Sequence, residues 1–150
     1  MRLYDIKIDE AFDSEVKGDV IRATNDLFTT AATIGNRKIV FNASAYERGA
    51  DENLDTIWEI EFTEKTPGNV TYGKTGSGNE MQVFSFVINS VKELVARYSP
   101  AEIEFGSSKA DSNRSALYTR LIKRIKIPGY HPAEVASDTY TDVFRIIRDK

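Results

Sequence analysis

The stretch "TIWEIEFTE", Thr56 to Glu64, constrains the fold of this chain more than any other. Trp58, Ile60 and Phe62 alternate with Ile57, Glu59 and Glu61. Successive strand side chains point to opposite faces, so this segment reads as a strand with one apolar face and one largely acidic face. The residues before it supply partners. "LFTTAATIG" and "RKIVFNASAY" are β-rich runs on either side of Gly35-Asn36, a pair that predicts a hairpin turn. In the second run Ile39, Phe41, Ala43 and Ala45 share one face. "ERGADENLD" reads as a polar loop, and "KTPGN" ends the strand because proline beside glycine favours a turn. Further back, "DVIRATNDLF" fits either a short helix or an entering strand.

After the proline the periodicity changes. Val83, Phe84, Val87, Ile88, Val91, Leu94 and Val95 recur at the three-to-four spacing of a buried helical face. That helix should stop at "RYSP", since Pro100 disfavours helical geometry in Ser99. "AEIEFGSS" predicts a short strand with Ile103 and Phe105 on one side. "DSNRSALYTRLIKRIKI" predicts a second amphipathic helix striped by Leu117, Leu121, Ile122 and Ile125, with Asp111, Ser112 or Asn113 as its cap. "PGYHPAEVAS" and "YTDVFRIIR" close the chain as a turn and strands, with His131 on the surface. The order is an antiparallel meander followed by helix, strand, helix and strand. It predicts a mixed α/β (α+β) sheet with helices packed on it, in a single domain spanning 1–150.

Composition narrows the chemistry. The chain has no cysteine and one histidine, which removes disulfides, thiolate metal sites and a His-rich zinc centre, so no metal site is expected. Its net charge of −3 gives no general attraction to nucleic acid or anionic membrane. No apolar run is long enough to span a bilayer, and "MRLYDIKIDEAF" lacks the apolar core of a secretory signal. The expectation is a protein of the cell interior or a component of a particle made there.

Three sets of residues invite chemistry. In "YGKTGSGNE" three glycines precede the first helix. Helix N-terminal amides carry unpaired donors and partial positive charge, and Gly76, Ser77 and Gly78 would let a phosphate approach them, with Lys74 adding charge. The plainer alternative is a flexible turn in which Ser77 or Asn79 caps the helix. Glu59 and Glu61 could take a proton from an ammonium if burial raised their pKa, or could simply line a solvated sheet face. Tyr118 sits mid-helix, either as a proton donor or as a packing residue. Lys109, Arg114, Arg120, Lys123, Arg124 and Lys126 form a basic group that could grip phosphates or form a solvated face.

The element order and the loop Gly73-Lys74-Thr75-Gly76-Ser77-Gly78 resemble the GNAT (Gcn5-related N-acetyltransferase) family, whose loop reads R/Q-x-x-G-x-G/A. Gly76 and Gly78 match that pattern, while Gly73 stands at the Arg/Gln position. Leu117-Tyr118 and Gly129-Tyr130 are similar to the family's later motif, with Asp111 and Arg114 at its Asn and Ala positions. The resemblance runs from about Leu27 to the end and lacks the family's first two helices. It implies acetyl-CoA as acyl donor and an amine as acceptor. Gly76, Ser77 and Gly78 would hold the pyrophosphate, helped by Lys74 and Arg114. Tyr118 would be the acid, and a splayed gap before "AEIEF" would admit the pantetheine arm.

"TGSGNEMQVFSFV", "PAEIEFGSSK" and "SNRSALYTRLIKRI" also resemble small tailed-bacteriophage proteins. That likeness implies a place in the host cytoplasm or the virion. It leaves open a second reading, a non-catalytic virion or host-interaction protein that forms a homo-oligomer or joins virion assembly, with outward apolar residues such as Ile57 and Val40 in the interface.

Overall fold

The structure is a computed structural model and describes residues 16–35, 37–50, 52–65, 80–108 and 112–150, of which 64–65, 80–81, 107–108 and 112–117 are described by backbone alone. The elements in chain order are β1 (Asp19–Ala23), β2 (Leu27–Ile34), β3 (Arg37–Ala50), β4 (Asn53–Lys65), α1 (Glu80–Tyr98), β5 (Glu102–Ser108), α2 (Ser112–Arg124), β6 (Tyr130–Pro132), β7 (Ala136–Ser137) and β8 (Thr141–Arg148). The ambiguous segment before Leu27 is therefore a strand. Among the described residues eight strands form one sheet in the order β1-β2-β3-β4-β5-β8-β6, with β7 also on β8. The fold is a mixed α/β one, a mostly stranded sheet with two helices among the described residues.

The first half is the expected meander. β2 and β3 pair from Leu27↔Ser44 to Ile34↔Arg37, so the chain reverses just after Ile34, where Gly35 has a φ of 63°; Asn36 lies outside the described residues. The hairpin between β3 and β4 is longer than the sequence suggested, running from Lys38↔Lys65 to Ala50↔Asn53. The "polar loop" is thus two paired strand ends. Polar side chains there face water on both sides, so the backbone ladder holds them without an apolar period to reveal it. Gly49 shapes that end. Its φ is 144°, and a Cβ on it would lie 2.1 Å from the Asn53 carbonyl oxygen.

From β4 the chain crosses over through α1 to β5, which lies parallel to β4, and β8 then runs antiparallel to β5. α1 ends with Ser99 at φ 44° and its N–H bonded to Val95 O, a left-handed stop ahead of Pro100.

Both helices lie on one face of the sheet. Trp58, Ile60 and Phe62 of β4 are buried there with Phe28, Ile39, Phe41, Ile103, Phe105, Phe144 and Ile146. Tyr98 at the end of α1 packs on Trp58 and Phe28, while Tyr118 of α2 packs on Phe62, Phe105 and Phe144. Arg120 sits over the Phe84 ring and joins the two helices.

α1 is buried over a wider sector than one stripe, because Ser85 and Phe86 are covered as well as the periodic residues. The chain at 16–18 crosses its outer side. Val16 N donates to Ser85 Oγ, Asn89 Nδ2 donates to Val16 O, and Gly18 lies so close to Phe86 that a Cβ would fall 2.4 Å from Cε1. Thr30 and Ser90 hydroxyls pair at 2.8 Å between β2 and α1, which satisfies two buried polar groups. Among the described residues no helix is long and apolar enough to cross a membrane.

Candidate functional site

The other face of the sheet carries no helix among the described residues, and its side chains follow from the strand alternation. In register across it lie Ser44, Glu59, Glu104 and Arg145, with Tyr46, Ile57, Glu102 and Ile147 in the next row. The parallel ladder between β4 and β5 covers only Ile57↔Glu102 to Ile60↔Phe105. Both strands continue past it, β4 to Lys65 and β5 to Ser108. The sheet therefore splits at Ile60 and Phe105. A groove of about 780 Å³ lies on the open face at this split, lined among others by Asn42, Ser44, Glu59, Glu61, Gly106, Thr141 and Val143.

Gly106 matters here. A Cβ built on it meets nothing within 4 Å, so the groove is open above the β5 backbone.

Beside the split is a charged cluster that sequence reading missed. The Tyr46 hydroxyl donates to Glu104 Oε1 in a short contact. Arg48 Nη2 donates to Glu102 Oε1 at 2.9 Å, and its Nη1 stands 3.6 Å from Glu104 Oε1. Arg145 Nη1 approaches Glu102 Oε1 at 3.8 Å from the far side. The carboxylate of Glu102 is buried, and its Oε2 has no hydrogen-bond partner among the described residues.

Burial pushes the Glu104 carboxyl above the usual range. The Tyr46 hydroxyl pulls it down, the Glu102 carboxyl pushes it up again, and the Arg48 guanidinium pulls it down. The Tyr46 hydroxyl is itself pushed up to about 12, by burial first and then by its bond to Glu104. Because Tyr46 and Arg48 reach from β3 to β5, they pass over β4 and bury Ile57, which is 0% exposed. Val40 is buried too. Neither residue is available for the outward apolar interface considered above.

The residues expected from sequence are distributed as follows. Glu59 and Glu61 are exposed and line the groove. Tyr118 is 0% exposed and lies on the helix side of the split, ringed by Phe62, Phe105 and Phe144. It is not part of the open-face groove. Lys74, Gly76, Ser77 and Gly78 lie outside the described residues, as do Lys109 and Asp111. Arg114 is on α2, and its side chain is likewise outside the description. Arg120, Lys123, Arg124 and Lys126 are exposed. His131 is on strand β6 rather than in a loop, with Nδ1 against the Asp149 carboxylate. No group of three or more potential metal ligands occurs among the described residues.

A signal for Glu104 did exist in the sequence. "EIEF" places two glutamates on one face of β5, opposite Ile103 and Phe105. The alternation gave their direction, and only the fold gave their neighbours.

No family model and no curated protein matches the chain. Among solved structures it is similar to an acetyltransferase of the GNAT family from Streptococcus pneumoniae, at 14% identity over 83% of this chain and 67% of that chain, with a TM-score of 0.39.

Proposed function

We propose that the chain is an N-acyltransferase that takes an acyl group from acetyl-CoA and passes it to an amine. One observation carries this reading: the parallel β4–β5 ladder stops at Ile60↔Phe105 while both strands continue, opening a groove beside acidic side chains. A groove of about 780 Å³ is within the usual range for cofactor-sized ligands, and the bare backbone at Gly106 leaves room for a narrow arm. When bound, acetyl-CoA supplies an activated acyl thioester.

The protein's share is to hold the reactants together and to manage protons. Gly106 and the walls formed by β4 and β5 would flank the arm. Glu59 and Glu61 would attract a cationic acceptor into the groove. Glu104, in register with Glu59 and partly buried, would remove the proton, since burial raises its carboxyl above the usual range. In this reading Gly76, Ser77 and Gly78 with Lys74 and Arg114 serve the pyrophosphate. Tyr118 keeps the acid role only if the split opens toward the helix side.

Thermal shift and calorimetry with acetyl-CoA test the reading. Binding should raise the melting temperature by mass action, and Gly106→Val, whose side chain projects into open groove, should remove the shift while leaving the apo melting temperature nearly unchanged. No shift at millimolar acetyl-CoA would sink the enzyme. A non-catalytic role in the virion or at a host partner would then be the better account, to be sought by sizing the protein and probing purified particles for it.

A further inference from the structure

The groove at the split and the charged cluster meet at Glu104. On the open face of β5 it stands two residues before Gly106, which lines the groove, and its register partner on β4 is Glu59, another lining residue. Around the rest of it are Tyr46 and Arg48 from β3, Glu102 from β5 itself, and Arg145, its register partner on β8. The Glu104 side chain is 14% exposed, whereas Glu59 is open to water.

The two β3 side chains treat this carboxyl group differently. Arg48 is committed first to Glu102, where Nη2 donates to Oε1 at 2.9 Å, and its Nη1 stands 3.6 Å from Glu104 Oε1, beyond hydrogen-bond range. The Tyr46 hydroxyl makes the direct bond, donating its one proton to Glu104 Oε1. A general base must be raised above the ordinary carboxylate range and still be ionised. Burial and Glu102 push the Glu104 carboxyl up, while the Tyr46 hydroxyl opposes them by favouring the charged form. That hydroxyl is itself pushed up to about 12, by burial first and then by this bond, so through the neutral range it stays a donor.

We propose that Tyr46 is a positioning residue for acyl transfer: its hydroxyl holds Glu104 Oε1 so that the carboxylate stands at the margin of the groove, ready to take a proton from the acceptor amine. The role rests on the acyltransferase reading. As the nitrogen–carbon bond forms and the carbon–sulfur bond breaks, the attacking neutral amine gives one proton to the Glu104 carboxylate. The electron pair of the broken bond stays on sulfur. Tyr46 touches neither reactant and acts only through Glu104.

The Glu104 carboxyl carbon is followed by NMR in the isotope-labelled full chain as pH is varied, its signal identified by its loss in Glu104→Gln. In Tyr46→Phe, which keeps a ring over Ile57, the Glu104 midpoint should move to higher pH. In transfer assays with acetyl-CoA and butylamine, the variant's rate should fall at low pH and recover as pH rises, with KM for acetyl-CoA unchanged. A merely structural loss would lower the rate equally at every pH. The carboxyl titration needs no turnover, so it decides even where butylamine is not accepted. A Glu104 midpoint that Tyr46→Phe leaves in place, or moves to lower pH, overturns the role while acetyl-CoA binding stands. A wild-type chain that binds no acetyl-CoA instead sinks the acyltransferase reading and takes the role with it, whatever the midpoint does.

Discussion

The two faces of the sheet are built from the same strands and held by different physics. On the helix side Phe28, Phe41, Trp58, Phe105 and Phe144 are sealed beneath α1 and α2, in contacts that tolerate small shifts because burial has no direction. On the other side Tyr46, Arg48, Glu102, Glu104 and Arg145 meet through bonds with defined donors and acceptors. β4 serves both faces with consecutive residues: Trp58 faces the core and Glu59 faces water. The lesson lies in Ile57, an apolar residue on the charged face that is as buried as the core, because arginine and tyrosine stems cover it.

The contrast can be tested by unequal losses. Phe105→Ala should cost about 3–5 kcal/mol in chemical denaturation, since a fully buried ring leaves a cavity beneath Tyr118. Glu61→Gln on the exposed face should change stability by no more than about 0.5 kcal/mol. If the two losses were similar, the two faces would not differ as described.

Glu102→Ala comes next, at about 2–3 kcal/mol. Removing one partner of a buried ion pair strands the other, and the loss stays below the range for fully buried pairs because Arg48 is half-exposed. A loss under about 0.5 kcal/mol would show that the charged cluster ornaments the sheet rather than fastening it.

The smallest effect is the dependence on pH. The folded state holds the Tyr46 proton more tightly than the unfolded chain, so that contribution is full below pH 10 and fades as pH rises toward about 12. Glu104 has the same sign at the acid end. Its raised carboxyl stabilises most when protonated, and that contribution is lost as pH rises from the ordinary carboxylate range through the raised value. Urea midpoints of wild type and Tyr46→Phe should therefore differ by a constant amount between pH 8 and about 10 and converge above it. Glu104→Gln should flatten the acid limb. Parallel curves throughout would remove the proton from the cluster's description.

Much of the covered face was legible in the sequence. Alternation in "TIWEIEFTE" and three-to-four spacing in α1 and α2 are local signatures of burial, and Trp58, Ile60, Phe62, Val91 and Leu94 lie where those periods put them. The open face was less legible. Glu59 and Glu61 could be assigned to it, but the surroundings of the Glu104 carboxyl include Tyr46, fifty-eight residues away, and Glu102, two positions before it. Long-range neighbours leave no periodic trace. The same holds for Ile57, and for Ser85 and Phe86, which are covered by Val16 and Gly18.

That last contact has a consequence for how the molecule is made. The strap at Val16 is fastened to Ser85 and Asn89, 69 and 73 positions later. A nascent chain emerging from the ribosome could pair β1 with β2 early, yet its leading segment would have nothing to clasp until α1 had also left the tunnel. Closing the strap is thus a late event in assembly, and it fastens a segment synthesised well before its partner.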